Sequence, residues 1–394
     1  MTSSNGAGVG RLVLTTAILA SLLCVSSASA TSDSPQNVPS VKIGYLLSLT
    51  GNVAEYGRAA QQGADIAVSQ LNSSGKVNVE VLVQDDQSTA SGGLAGLTYL
   101  ISQGVKVVIG PAASVVGVPI APVANRDEVV LISPYVSAPQ FTSNNGYTFR
   151  HHMTAAQTEY AFGAYLAKKH KKGVTAAILA SETPNSQSGS KGFQEGFESG
   201  GGKVVDVEVA SANATDYRTP LAKIKSHAPD IVYMFPDGVA LNALAVKQAR
   251  SLGIEAKIAA TSIVTDASFI RDAGSASEGV MYSTEYFDLK SSKPIIANFV
   301  REYEAKYRTP PVVWAGNSYD AVMMAVQAVQ AAGNDGTKVR DWLYHMKEYS
   351  GVGGDDLSFD SRGDPRGRTE AVGVIKEGKY VVEDTFSQSA ITRP

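Results

Sequence analysis

Residues Val105–Pro139 read VKVVIGPAASVVGVPIAPVANRDEVVLISPYVSAP. Two short apolar runs, Val105–Ile109 and Val129–Ile132, have the length and β-branched content of buried strands. The stretch between them is apolar and helix-like. Each run passes directly into a proline-bearing loop with small hydroxyl residues. The first loop carries Ser114 just before the helix, and the second carries Tyr135 and Ser137. In an α/β protein, ligands sit outside the carboxyl ends of parallel strands. A helix N-terminus there offers free N–H groups and partial positive charge to a carboxylate. The segment therefore reads as a clamp for a small anion, with no nucleophile or base beside it.

The same alternation extends in both directions. Upstream, strands are expected at Val41–Leu47 and Val77–Val83, with helices at Glu55–Leu71 and Gly92–Ser102. Ala60, Ala64, Ala67, Val68 and Leu71 share one face of the first helix. Downstream the pattern begins again: strand Thr175–Leu179, helix Ser188–Glu198, strand Val204–Val209, helix Tyr217–Ser226 and strand Ile231–Phe235. Matching strands of the halves lie about 126 to 134 residues apart, which implies two lobes of like topology. Helices follow at Pro294–Tyr307, Tyr319–Ala332 and Lys338–Lys347. Two strands, Ala371–Ile375 and Tyr380–Val382, meet at a Glu377-Gly378 hairpin turn.

With 394 residues, 18% charged and 44% hydrophobic, the composition is that of a globular protein of two to three domains. A net charge of −3 gives no electrostatic footprint for nucleic acid or for an anionic membrane. Arg11, the apolar run Leu12–Val25 and Ala28-Ser29-Ala30 form a cleavable export signal over residues 1–30, with cleavage after Ala30. Leu23 stands before Cys24 where lipoprotein signals carry a small residue, so no lipid anchor is expected. Removal of the signal leaves no cysteine, and a core of this size needs no disulfide. Residues 31–40, polar with two prolines, read as a disordered lead-in.

Several motifs invite chemistry. Ser188-Gly189-Ser190-Lys191 has the S-x-x-K form of serine acylases, but S-D-N and K-T-G are absent; a helix-start serine with an exposed lysine is the plainer reading. Adjacent His151 and His152 point different ways on any regular element. No further metal-ligand pattern accompanies them, and a crossover or exposed position fits better. Lys168–Lys172 is a basic helix end. Gly200-Gly201-Gly202-Lys203 lacks P-loop spacing and reads as a turn. The acids of Asp355–Asp364 lack calcium-loop spacing and read as a loop. Asp85-Asp86 follows a strand end and borders the cleft. Acid–base work needs a partner that is not visible, so one is expected to cap the next turn and the other to hydrogen-bond to the loop.

Ordered landmarks then carry a resemblance over about Val41 to Thr385: IGYLLSLTGNVAEYG at 43–57, Gly63 to Ala67, VQDDQS at 83–88, VVIGPAAS at 107–114, LISPYVSAP at 131–139, DIVYMF at 230–235, ARSLGI at 249–254, SYDAV at 318–322 and LSFDSRGD at 357–364. The chain resembles the periplasmic substrate-binding proteins of branched-chain amino-acid ABC importers, the leucine/isoleucine/valine-binding type. The resemblance implies an α/β fold of two Rossmann-like lobes joined by three crossovers, the type I periplasmic binding fold, closing on ligand by a hinge. It places residues 41–149 and 286–363 in an N-terminal lobe and 150–285 and 364–394 in a C-terminal lobe, with the tail crossing back at Gly363 to Arg368.

By position, the resemblance assigns ligand contacts to Ser114, Ser137, Tyr56 and Tyr135, the last through its carbonyl. In the second lobe it assigns Asn185, Asp237 and Ser262. Ser262 falls where relatives hold the ligand ammonium with an acid. A serine cannot neutralise that charge, so either Asp237 takes over or the ligand has no ammonium. A family disulfide would fall near Ser88 and Ala113, and neither is cysteine. The reading is an exported, periplasmic, non-enzymatic solute-binding protein of an ABC importer. Its partners are a small carboxylate-bearing ligand, with a branched-chain amino acid favoured, and a membrane permease. No cofactor, metal or nucleic acid is expected. The alternatives are an aromatic or other organic acid without ammonium, a sensor module of the same fold, and a secreted hydrolase, which would need a nucleophile–base pair facing the cleft.

Overall fold

The computed structural model describes residues 38–51, 53–212 and 214–387. The expected signal, its cleavage site and Cys24 lie outside the described residues, as does the lead-in up to residue 37. The end of that lead-in is ordered, contrary to expectation: Ser40 already pairs with Asn78, and Asn78 N donates to Pro39 O.

The first half contains β1 (Ser40–Leu47), α1 (Ala54–Ser73), β2 (Asn78–Asp85), α2 (Ala90–Ser102), β3 (Val107–Ile109), α3 (Ser114–Arg126), β4 (Val130–Ser133) and β5 (Thr148–Arg150). The second contains α4 (Ala155–Lys169), β6 (Thr175–Ser181), α5 (Pro184–Ser199), β7 (Lys203–Ala210), α6 (Arg218–Ser226), β8 (Ile231–Phe235), α7 (Val239–Ser251), β9 (Lys257–Ala260), α8 (Ala267–Ala273) and β10 (Met281–Glu285). Then come α9 (Pro294–Tyr307), α10 (Val313–Ala332), α11 (Gly336–His345), the short pair β11 (Ser358–Phe359) and β12 (Pro365–Arg366), and the hairpin β13 (Thr369–Lys376) and β14 (Lys379–Ser387).

Five parallel strands form one sheet in the order β2-β1-β3-β4-β5. The other sheet runs β14-β13-β10-β9-β8-β6-β7, parallel from β7 to β10, with β13 and β14 antiparallel. Central parallel strands are buried on both faces and so read as unbroken apolar runs. Alternate residues serve different cores. Val107 and Ile109 face α1, α9, α10 and α11, while Val108 faces α2 and α3. In the second sheet Val232 and Met234 face one core, and Ile231, Tyr233 and Phe235 the opposite one. Each fully buried Val, Leu or Phe contributes about 1.5–3 kcal/mol. At Gly63 the two helices α1 and α10 touch through backbone, since a Cβ there would strike the Ala315 main chain.

Local chemistry sets the helix starts. Thr89 accepts from Gly92 N, Thr154 forms a capping box with Gln157, and Thr183 accepts from Ser186 N ahead of Pro184. The last of these moves a boundary. The helix expected from Ser188 begins at Pro184, so Ser188 is one turn inside α5 and not at its start. α3 contains Pro119 and Pro122, each lacking the N–H that an interior helical bond needs. Both prolines are exposed, where the freed carbonyls meet water, while Val116, Gly117, Ile120, Ala121 and Ala124 hold the opposite face in the core.

Candidate ligand-binding site

The carboxyl ends of both sheets meet at three chain crossovers. The first leaves β5 at Arg150 and enters α4 through His151 to Thr154. The second leaves β10 at Glu285. The third runs from β12 to β13 through Arg368. Charged side chains buried here fasten the crossovers together. Arg150 Nε donates to Asp364 Oδ1 at 2.7 Å, and its Nη2 donates to Thr142 Oγ1 at 2.8 Å. Arg368 Nη2 donates to Asn317 Oδ1 at 2.6 Å and to Glu285 Oε2 at 3.1 Å. Glu285 Oε1 accepts from Met153 N at 2.7 Å, and its Oε2 accepts from Asn317 Nδ2 at 3.2 Å. Burial alone would raise the Glu285 carboxyl, but His152 and Arg368 hold it well below its ordinary value. His151 Nε2 lies 2.9 Å from Arg368 Nη1 and 3.2 Å from Asp320 Oδ2. Burial, then Arg368, lowers its pKa, so that ring is neutral near pH 7.

On the first sheet, Ser114 opens α3, whose first N–H groups have no carbonyl one turn back. Ser114 Oγ accepts from Ala138 N at 3.2 Å, which joins the two loops and leaves the hydroxyl proton free to be donated. Ser133 shapes the second loop by accepting from Val136 N and donating to Pro111 O. Ser137 is half-buried beside it. Gly110 turns the first loop at φ +124°, and a Cβ there would strike Leu46 O.

Tyr56 and Tyr135 come together with two residues that the sequence reading did not place here, Trp314 and His152. Ring centroids are 5.0 Å apart for Tyr56–Tyr135, 4.2 Å for Tyr135–Trp314 and 4.8 Å for Tyr135–His152. Burial, then Tyr56 and Glu285, raises the Tyr135 hydroxyl, which therefore stays protonated. Trp314, at the start of α10 just past Pro310-Pro311, could have been suspected as one of only two tryptophans. His152 is half-buried and not plainly exposed, and the described residues hold no group of three or more acids, histidines or cysteines placed to share a metal ion.

On the second sheet, Asn185 and Asp237 also meet. Asp237 Oδ2 accepts from Thr183 Oγ1 at 2.7 Å and Oδ1 from Asn185 Nδ2 at 3.3 Å. Ser262 stands apart at the exposed start of a short 3-10 turn, its carbonyl taken by Thr265 Oγ1. Asp85 and Asp86 are structural. Asp85 accepts from Leu49 N, Thr50 N, Thr50 Oγ1 and Gln87 N, and Asp86 from Ser48 Oγ and Ser88 N. Asp364, within the acidic loop, is committed to Arg150.

Two α/β lobes joined by three crossovers, with polar and aromatic groups gathered at the carboxyl edges of both sheets, define a hinged protein that binds small molecules between its lobes. Residues 40–377 match the periplasmic binding protein family, and the chain belongs to it. It is 28% identical over 337 residues to the Leu/Ile/Val-binding protein homolog 1 of Brucella abortus, covering 83% of this chain and 88% of that one. A leucine binding protein from Thermotoga maritima superposes with a TM-score of 0.71 at 24% identity, covering 89% of this chain and 99% of that chain. A solute binding protein of an R. palustris ABC transporter, in complex with benzoate, superposes with a TM-score of 0.66 at 24% identity, covering 88% and 96%.

Proposed function

We propose that this protein is the solute-binding component of an ABC importer and holds a small carboxylate-bearing solute between its lobes. The observation that carries this reading is the pairing of Ser114 with the Tyr135–Ala138 loop at the N-terminus of α3. Hydroxyl and N–H donors there would share the ligand carboxylate, and lobe closure would exclude water and strengthen each bond. Residues 41–149 with 286–363 would form one lobe and 150–285 with 364–394 the other, in keeping with the two sheets. A branched-chain amino acid is the first ligand class, by likeness to the Leu/Ile/Val-binding relative. Its ammonium would be taken by Asp237, which Thr183 and Asn185 hold in place.

A second reading, an aromatic acid without ammonium, is favoured by the Tyr56–Tyr135–Trp314 cluster, whose rings meet tilted or edge-on and would offer faces and edges to a further ring. Residues 1–30 would direct export to the periplasm and be removed by cleavage after Ala30, and a membrane permease would receive the solute. No step of covalent chemistry is assigned. A thermal-shift screen of L-leucine, L-isoleucine, L-valine, benzoate and hydroxylated benzoates tests the proposal, because a bound ligand raises the melting temperature by mass action. A rise with an amino acid supports the first reading, and a rise with an aromatic acid alone supports the second. Recovery of a chemically altered compound would overturn the binding role.

A further inference from the structure

The two neighbouring histidines of the first crossover differ in kind. His151 is 1% exposed, and its Nε2 lies between Arg368 and Asp320. His152 is 17% exposed, and its Nδ1 lies 3.1 Å from Glu285 Oε2. That carboxylate cannot swing away, because Met153 N, Asn317 Nδ2 and Arg368 Nη2 all donate to it. The imidazole faces are pinned as well, with the Tyr135 centroid at 4.8 Å and the Trp314 centroid at 6.0 Å. One nitrogen thus lies beside a fixed anion, and two aromatic neighbours pack against the ring. Nε2 makes no hydrogen bond among the described residues, and the side chain keeps 17% of its surface exposed although Nδ1 is buried.

We propose that His152 is a ligand-contacting, specificity-determining residue, and that Nε2 donates to a carboxylate or hydroxyl oxygen at the hinge end of the bound solute. The inference rests on the solute-binding reading above and adds a requirement on the ligand. A histidine serving only to brace the crossover would gain by using both nitrogens or by full burial, as His151 does. His152 has instead one nitrogen beside a buried carboxylate and the other turned outward, at the edge of the aromatic cluster that includes Tyr135. With Nδ1 beside a carboxylate and Nε2 turned outward, the imidazolium form carries a proton on each nitrogen, one toward Glu285 and one toward the ligand oxygen. The ring is ordered before the ligand arrives, so little further freedom is lost on binding.

The consequence is selectivity. An aliphatic group covering Nε2 would strip its water and return no hydrogen bond, whereas an oxygen at that point restores one. A solute with an acceptor at the hinge end should therefore bind about tenfold or more tightly than its aliphatic counterpart through this residue alone. Glu285 acts through His152 and is a positioning residue.

The test uses the full mature chain with acetate as a minimal carboxylate probe. The His152 ring resonances are assigned by their absence from His152→Leu or, should that chain not fold, from His152→Gln. Acetate should shift them saturably in the wild type and far less in Glu285→Gln, where the imidazole has lost its anchor. Calorimetry with benzoate, 3,4-dihydroxybenzoate and L-leucine then reads the selectivity. For any acid that binds with an acceptor at the hinge end, His152→Leu should weaken it about tenfold or more and leave L-leucine unchanged. His152 resonances that do not respond to acetate overturn the inference, as does an acid affinity unchanged in His152→Leu. Failure of the solute-binding reading looks different: no compound of the panel then binds the wild type at all, whatever His152 does with acetate.

Discussion

Replacing Glu159 by glutamine should make the protein markedly less sensitive to alkaline pH. Glu159 lies on α4 and is buried against the second sheet, near Tyr233 of β8 and Glu370 of β13. Neither Glu159 Oε2 nor either carboxyl oxygen of Glu370 has a hydrogen-bond partner. Burial, opposed only by Tyr233, pushes the Glu159 carboxyl up to about 8 from an ordinary 4.5. Burial, then Glu285 and Glu159, also pushes Glu370 well above its ordinary value.

The folded state therefore holds a proton that the unfolded chain releases. For an acid raised in the folded state, the favourable contribution is fully present below the unfolded pKa and is lost as pH rises through the folded one. The full span corresponds to about 5 kcal/mol, and the part falling between about pH 5 and pH 8 to roughly 3 kcal/mol. Urea unfolding of wild type and Glu159→Gln at both pH values measures this directly. The stability difference should shift toward the glutamine variant by roughly 3 kcal/mol on going to the higher pH. A difference constant to within about 1 kcal/mol would show that Glu159 is ionised in the folded protein and refute the reasoning.

Ser114→Ala or Ser137→Ala should each weaken a carboxylate ligand by about tenfold to a hundredfold in calorimetry, and unchanged affinity in both would show the clamp to be misplaced. Asp237→Asn should weaken an amino-acid ligand by about tenfold and leave an ammonium-free acid unchanged or slightly tighter; equal binding of an amino acid by both proteins would remove Asp237 from the ammonium site. Asp364→Ala leaves the Arg150 guanidinium buried and without its carboxylate, so stability should fall by about 3–5 kcal/mol in urea unfolding. A loss below about 1 kcal/mol would mean that water reaches Arg150.

The lobed α/β plan was legible in the chain because it rests on local patterns. Strands buried on both faces, such as Val107–Ile109 and Ile231–Phe235, must be apolar at every position, and that shows without any partner. Asp85 and Asp86 are legible as loop-forming through their local bonds to Gln87 N and Ser88 N, whereas their bonds to Ser48, Leu49 and Thr50 come from 35 to 38 residues away and show only in the fold. The sequence pattern shows only Tyr380–Val382 of β14, because the strand lies at an exposed sheet edge, where the polar residues out to Ser387 cost nothing and the apolar pattern fades. The start of α5 does not show in the apolar periodicity because the capping Thr183 and Pro184 precede the periodic apolar residues.

Tertiary structure alone decided the crossover cluster. Glu285, Asn317 and Arg368 look like ordinary polar positions in sequence, since a buried charge becomes tolerable only when its counter-charge arrives, here from 83 residues away. The choice between His151 and His152 is of the same kind. Adjacent side chains diverge by rule, but which of them enters the interior depends on where Asp320 and Glu285 stand, and those positions are fixed by α10 and β10 packing against the crossovers. Sequence determined the scaffold because burial patterns repeat along each element; the polar site was decided in three dimensions because its contacts join residues far apart in the chain.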